Sequence, residues 1–285
     1  MIRIAVQSKG RLNEDSMELF SEIGIRIDES KRKYLSKAAN FPVELLYLRD
    51  DDIPQVVASG AADLGIVGLN EVEEKAMNVK IVERLGFGGC RISLAIPKSE
   101  QYDGPKWFEG KRIATSYPKI LAKYLKEQGV DATIETITGS VEIAPAAGIA
   151  DAIFDIVSSG GTLVANNLKE VETVLRSEAV LIGNPGLEKD EEKIGILKEM
   201  LFRIESARSS RGKKYLLMNL PQSSLPEAIK ILPALKSPTV MPLAAEGWCS
   251  LHSVVDTSDI WDKVRQLKAI GAEGILVLNL DKIIP

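Results

Sequence analysis

The stretch Asp151-Ala-Ile-Phe-Asp-Ile-Val-Ser-Ser-Gly-Gly-Thr-Leu163 decides the reading of the fold. A short apolar run ends in small hydroxylated and glycine residues, and a helix-compatible segment, Leu163 to Val174, follows. Such a passage belongs to a sheet of buried, largely parallel strands joined by helices. The same alternation continues outward in both directions. Strands are expected at Ile2 to Val6, Val43 to Leu48, Leu64 to Val67, Ile92 to Ile96, Arg112 to Thr115, Thr133 to Ile137, Ala152 to Val157 and Ala179 to Ile182. Amphipathic stretches at Asn13 to Ile23, Ile53 to Ser59 and Ile120 to Gln128 read as helices, the first capped by Asn13 or Asp15. The units predict an α/β protein of three layers.

Composition breaks divide the chain. Pro97 to Gly110 collects Pro, Gly, Ser and charged residues and reads as a crossing between two lobes. This gives residues 1–97 as a first lobe, with a return segment at 179–207, and 98–178 as a second lobe. A long charged helix pattern runs to about Arg208. Beyond it, Lys214 to Leu220, Thr239 to Leu243, Trp248 to Val255 and Gly274 to Leu280 read as strands, with helices at Ser224 to Leu235 and Ser258 to Ala269. That order, βαββαβ over 208–285, predicts a ferredoxin-like module.

Composition excludes several functions. The 285 residues carry 36 basic and 40 acidic side chains, a net charge of -4, so no global footprint for nucleic acid exists. No apolar run is long enough to span a bilayer, and the opening Met-Ile-Arg-Ile-Ala-Val-Gln reads as a strand rather than a secretory signal. Two distant cysteines, Cys90 and Cys249, offer no disulfide framework, so a cytoplasmic setting is expected. With one histidine, His252, a zinc site or a Ser-His-Asp triad would require everything to converge on that single residue.

The chemistry is expected where strands end. In the loop Ser158, Ser159, Gly160, Gly161 and Thr162, glycines let several N–H groups converge, hydroxyls add donors, and a helix start adds partial positive charge. Such a loop suits a phosphate monoester, although the same residues also make an ordinary strand–loop–helix turn. Asp155, just upstream, is placed to hold sugar hydroxyls. Gln7-Ser-Lys-Gly-Arg-Leu12 puts Lys9 and Arg11 at the carboxyl end of the first strand, the edge where open sheets bind ligands. Arg49 opens the run Asp50-Asp-Asp52, whose acids are good helix-start chemistry. Asp63 and Gly68 bracket another strand, Arg91 follows Phe87-Gly-Gly-Cys90, and Thr115 and Tyr117 end the strand at Arg112.

Together these motifs resemble the ATP phosphoribosyltransferase family, in its long form with a C-terminal regulatory domain. The signature residues match as Glu142, Gly148, Asp155, Ser159, Gly160, Thr162 and Leu163, with Ile153 and Ile156 at apolar positions; Ser159 replaces the commoner threonine. Lys9-Gly-Arg-Leu12, Arg49-Asp-Asp-Asp-Ile53, Asp63-Leu-Gly65, Phe87-Gly-Gly-Cys-Arg91 and Arg112-Ile-Ala-Thr-Ser-Tyr-Pro118 also look like the family, so the likeness covers nearly the whole chain.

The resemblance implies two catalytic lobes like those of type II periplasmic binding proteins. It implies transfer of phosphoribosyl from 5-phosphoribosyl 1-pyrophosphate to N1 of ATP, the first step of histidine biosynthesis. Mg²⁺ is the expected cofactor, held mainly by the substrate pyrophosphate. Ser158 to Leu163, Asp155 and Glu142 are expected to bind the phosphoribosyl donor. Lys9, Arg11 and Arg49 are expected to neutralise phosphates during catalysis, and Asp63, Gly68, Arg91, Thr115 and Tyr117 to contact ATP. In the last module histidine is the implied inhibitor, with Thr239, Met241 and Leu243 as effector candidates, and hexamers built from dimers are the implied assembly. A solute-binding protein or a catalytically silent regulatory subunit are the alternatives.

Overall fold

A computed structural model describes residues 1–28, 34–232 and 237–284. It divides into two compact units, Met1–Met200 and Leu201–Pro285. The first contains two sheets. One is built from β1 (Ile2–Gln7), β2 (Leu35–Lys37), β3 (Val43–Leu48), β4 (Leu64–Gly68) and β5 (Lys80–Arg84), with helices α1 (Arg11–Glu22), α2 (Ile53–Ala58) and α3 (Leu69–Lys75) between them. The second sheet takes β6 (Cys90–Pro97), β7 (Arg112–Thr115), β8 (Thr133–Thr136), β9 (Ala152–Val157) and β10 (Leu168–Ser177), with α4 (Pro118–Gln128) and the short α5 (Gly161–Ala165). The chain then re-enters the first sheet with β11 (Ala179–Gly183) and continues into α6 (Glu191–Ser210).

The two sheets share one topology. Their orders are β2-β3-β1-β4-β11-β5 and, read from the far edge, β8-β7-β9-β6-β10. In each, three strands are parallel (β3, β1, β4 and β8, β7, β9), and the next is antiparallel and arrives from the other lobe. This exchange of strands is the type II periplasmic-binding-protein arrangement. The lobes also echo each other in detail. Asp63 donates its backbone N–H to the Arg3 carbonyl and accepts the Arg3 N–H on its carboxylate at 2.9 Å; Asp151 does the same with Arg112, its carboxylate again accepting at 2.9 Å. The sequence repeats accordingly, Arg3-Ile-Ala5 with Ala62-Asp63 and Arg112-Ile-Ala114 with Ala150-Asp151.

Helices cover the sheets because the strands are apolar on both faces. Ile53 and Val57 of α2 pack on Ala5, Val67, Val180 and Ile182, while Ile120, Leu121 and Leu125 of α4 pack on Ile113, Phe154 and Ile92. A second cluster, including Ala95, Ile153, Val157 and Leu163, fills the other face of the second sheet.

Three expectations are corrected. The crossing into the second lobe lies at residues 85–89, not at Pro97 to Gly110, because β6 already pairs with β9 and β10. Leu163 to Val174 is not one helix: α5 stops at Ala165 and β10 begins at Leu168. Two β-bulges in β10, between Glu170 and Glu172 and between Thr173 and Leu175, put its packed apolar residues at 168, 171, 174 and 175. Bulges break the two-residue alternation, and the resulting spacing imitates a helix. The start of α1 is capped by neither Asn13 nor Asp15; the helix begins after Gly10, whose φ is 97°, and Asn13 instead donates to the Gln7 carbonyl at 2.6 Å.

The second unit contains β12 (Lys213–Pro221), α7 (Leu225–Ile231), β13 (Thr239–Pro242), β14 (Trp248–Asp256), α8 (Ile260–Ala269) and β15 (Glu273–Asn279). Its antiparallel sheet has the order β13-β14-β12-β15, the ferredoxin-like order, over a core of Leu216, Met218, Leu220, Leu251 and Leu267. The end of the expected helix at Ser224 to Leu235 lies outside the described residues.

Candidate active site

Parallel strands deliver their carboxyl ends to one edge, and in this unit the edges of both lobes meet around a cavity of about 270 Å³. Gln7 and Arg11 reach it from the end of β1, Asp50 from the end of β3, and Gly68, Asn70 and Glu71 from the junction of β4 with α3. The crossing residues Gly88 to Cys90 and Ala179 form part of the wall. Tyr117 comes from the end of β7, and Ile156 and Ser158 from the end of β9.

The expected phosphate loop follows β9 directly. Gly160 has φ 82°, a conformation that disfavours any side chain, and the Gly161 N–H points to the Ser159 hydroxyl at 3.4 Å. Ser159, Gly161 and Thr162 are exposed, whereas Leu163 anchors the loop in the core. Arg91 buttresses it. Its guanidinium forms two 2.6 Å bonds to Glu170 and a 3.0 Å bond to the Ser158 carbonyl. Arg91 and the hydroxyls of Ser93 and Thr173 hold the Glu170 carboxyl down at about 2. Arg91 thus holds the loop in place while lining a hollow with Gly89, Cys90 and Ser158, residues that also border the cavity.

Asp155 lies three residues before Ser158, half-buried; burial pushes its carboxyl up to about 6, the Ile156 N–H opposes this, and Glu142 adds to it. Glu142 approaches from the turn Val141–Ile143. Lys9, Arg11 and Arg49 are exposed at the same edge; Arg11 lies 4.0 Å from Asp15 and Arg49 3.3 Å from Asp51.

Two expected ligand contacts are corrected. Asp63 sits at the amino end of β4, opposite the cavity edge, bonded to the Arg3 backbone and at 2.8 Å to Lys193. Thr115 is fully buried and its hydroxyl accepts the Tyr117 N–H at 2.8 Å, so it shapes the turn. Tyr117 and Gly68 do line the cavity.

Sequence reasoning missed Asn70 and Glu71. The Asn70 amide donates to Glu71 at 3.1 Å and to the Tyr117 hydroxyl at 3.2 Å, and its backbone N–H and Oδ1 bond Ser177 of β10. Glu74 caps α4 across the lobes, accepting from the Lys119 and Ile120 N–H groups at 3.0 to 3.1 Å. The signal was available, since Gly68-Leu-Asn-Glu71 follows a strand end like every other site loop.

A family model described as ATP phosphoribosyltransferase matches residues 49–206, and one described as HisG, C-terminal domain, matches 210–282. The chain belongs to the ATP phosphoribosyltransferase family. Proteins named ATP phosphoribosyltransferase are 57% identical in Bacteroides thetaiotaomicron and 58% in Phocaeicola vulgatus, each over all of this chain and all of the relative; that of Cytophaga hutchinsonii is 50% identical over 99% of its length. Among solved structures, the ATP phosphoribosyl transferase (HisG:HisZ) complex from Thermotoga maritima is 29% identical, with a TM-score of 0.62. It covers 72% of this chain and 99% of its own. Burial raises the Cys90 thiol, which disfavours its thiolate.

Proposed function

We propose that this chain transfers the phosphoribosyl group of 5-phosphoribosyl 1-pyrophosphate to N1 of ATP, releasing pyrophosphate and opening histidine biosynthesis. The observation that carries the reading is convergence. The Ser158 loop after β9, the Arg11 loop after β1 and Tyr117 after β7 surround one cavity, in a chain matched to the family over its length.

In this reading the loop Ser158 to Thr162 holds the 5-phosphate through N–H and hydroxyl donors, while Asp155 orients the ribose hydroxyls and Glu142 supports it. Lys9, Arg11 and Arg49 neutralise the pyrophosphate and triphosphate. The chemistry asks for position and charge rather than an imidazole or thiolate, because adenine supplies the nucleophile. As the C1–O bond opens, the sugar becomes cationic and pyrophosphate gains charge, which fixed donors stabilise more strongly than they stabilise the ground state.

Among the described residues no group of three or more His, Cys, Asp or Glu is placed to hold a metal ion. Mg²⁺, in this reading, would be carried mainly by substrate oxygens and would supply counter-charge to the leaving pyrophosphate. Histidine inhibition through Thr239, Met241 and Leu243, and a hexamer assembled from dimers, belong to the same proposal. Thr239 and Met241 stand exposed on the edge strand β13, opposite His252 and Ser250. Among the described residues no helix is long and apolar enough to cross a membrane, and a cytoplasmic setting goes with the biosynthetic role. The test is pyrophosphate release by the purified chain, which must require both ATP and the phosphoribosyl donor; release without ATP would overturn the reading.

A further inference from the structure

We infer that Glu71 recognises the 6-amino group of the nucleotide's adenine and offsets the positive charge that the ring acquires when its N1 is alkylated. The inference rests on the proposed reaction and assigns one residue within it.

Glu71 lines the cavity and is 8% exposed. Its hydrogen-bond partners are neutral, the Asn70 amide and the Tyr117 hydroxyl. The charged groups facing it are Asp50 and Asp51, which oppose its ionisation, and Lys75, which favours it. Among the described residues Glu71 forms no ion pair of its own. A buried carboxylate beside two others, without a dedicated counter-charge, is costly. Beside it, Asn70 with Ser177 and Glu74 with α4 tie the lobes together through other bonds. Burial above all, with Asp50 and Asp51, pushes its carboxyl up to about 7, so ionised and protonated forms are both accessible near neutral pH.

Such a group repels phosphate and selects a hydrogen-bond donor that is neutral or becoming cationic. The adenine edge carrying N1 and the 6-amino group is that donor. When the N1 lone pair forms the bond to C1, the C1–O bond breaks and its electron pair leaves with pyrophosphate. The ring gains one positive charge, shared by N1, C6 and the amino nitrogen. No proton need move. The bond from the amino N–H to the ionised Glu71 strengthens as the charge grows, which is the differential binding that raises rate.

The test compares wild type, Glu71→Gln and Glu71→Asp by nucleotide binding and by pyrophosphate release across pH 5.5 to 8.5. Wild type is expected to bind ATP at least tenfold more tightly than purine riboside triphosphate, which lacks the amino group. Its kcat/KM for ATP should rise with pH through an inflection near 7. Glu71→Gln should bind the two nucleotides within threefold of each other, lose at least tenfold in kcat/KM for ATP, lose that inflection, and keep its KM for the phosphoribosyl donor within twofold. Glu71→Asp, retaining charge with shorter reach, should restore part of the discrimination. If Glu71→Gln proves misfolded, Glu71→Asp decides: unchanged ATP binding and an unchanged profile overturn the inference. So does a Glu71→Gln protein with wild-type discrimination, or one that instead loses its preference for ATP over 2′-deoxy-ATP, which would place Glu71 at the ribose. A wild-type chain without activity would sink the parent reaction and not this assignment, which the binding comparison reads separately.

Discussion

Asp155 shows how one residue ties site chemistry to stability. Its folded carboxyl titrates near 6 against an ordinary 3.8, chiefly because it is buried. Between those values the folded protein holds more protons than the unfolded chain, so this group's contribution to stability is present at low pH and is lost as pH rises through 6. Asp155→Asn should therefore gain thermal stability relative to wild type on going from pH 4 to pH 7, while losing activity; parallel melting curves against pH would remove the burial account. For the loop, Thr162→Ala removes one donor to the 5-phosphate, worth about 1.5 to 3 kcal/mol for a charge-assisted contact, so its KM for the phosphoribosyl donor should rise roughly ten- to a hundredfold. An unchanged KM would take the loop out of the donor site. The rule that ligands gather at strand ends locates Arg11, Gly68, Tyr117 and Ser158 at the cavity. It misplaces Asp63 and Thr115, because composition does not reveal which end of a strand or which partner a side chain will take. Glu71 was hidden for the complementary reason: an acid in a first helical turn already has an explanation in the helix dipole.

Elements are held by contacts that leave little room. A Cβ on Gly65 of β4 would lie 2.6 Å from Ile53 Cγ2 and 2.9 Å from Val57 Cγ2 of α2. Gly65→Ala should cost about 1 to 3 kcal/mol through overpacking, measurable by denaturant unfolding; a wild-type midpoint would show that α2 can shift away. The strands of the parallel cores were legible as apolar runs, since burial on both faces erases alternation and leaves continuous hydrophobicity. Lys80–Arg84 and Leu168–Ser177 were not. β5 is a largely exposed strand, and β10 carries two bulges and outward charges, so neither presents a strand's usual pattern. The crossing at residues 85–89 escaped for a related reason: it is short, and the loop at 97–110 is richer in turn residues.

At the scale of the whole molecule, the paired Arg3–Asp63 and Arg112–Asp151 clamps show two lobes built to one plan, each completed by a strand from the other. That exchange makes the cavity between their edges a property of the first unit as a whole. The ferredoxin-like order of the second unit was legible because its strands and helices alternate in simple amphipathic runs, whereas an effector pocket leaves no such periodic mark. Millimolar histidine should inhibit the full chain without raising its KM for ATP in proportion; activity indifferent to histidine would leave the second unit without the proposed role. The most direct test of the central claim is mass spectrometry of the nucleotide after incubation of the purified chain with ATP, 5-phosphoribosyl 1-pyrophosphate and Mg²⁺. The account predicts ATP heavier by one phosphoribosyl group, linked at N1, and one pyrophosphate for each molecule formed. Unmodified ATP, or pyrophosphate released without the adduct, would contradict it.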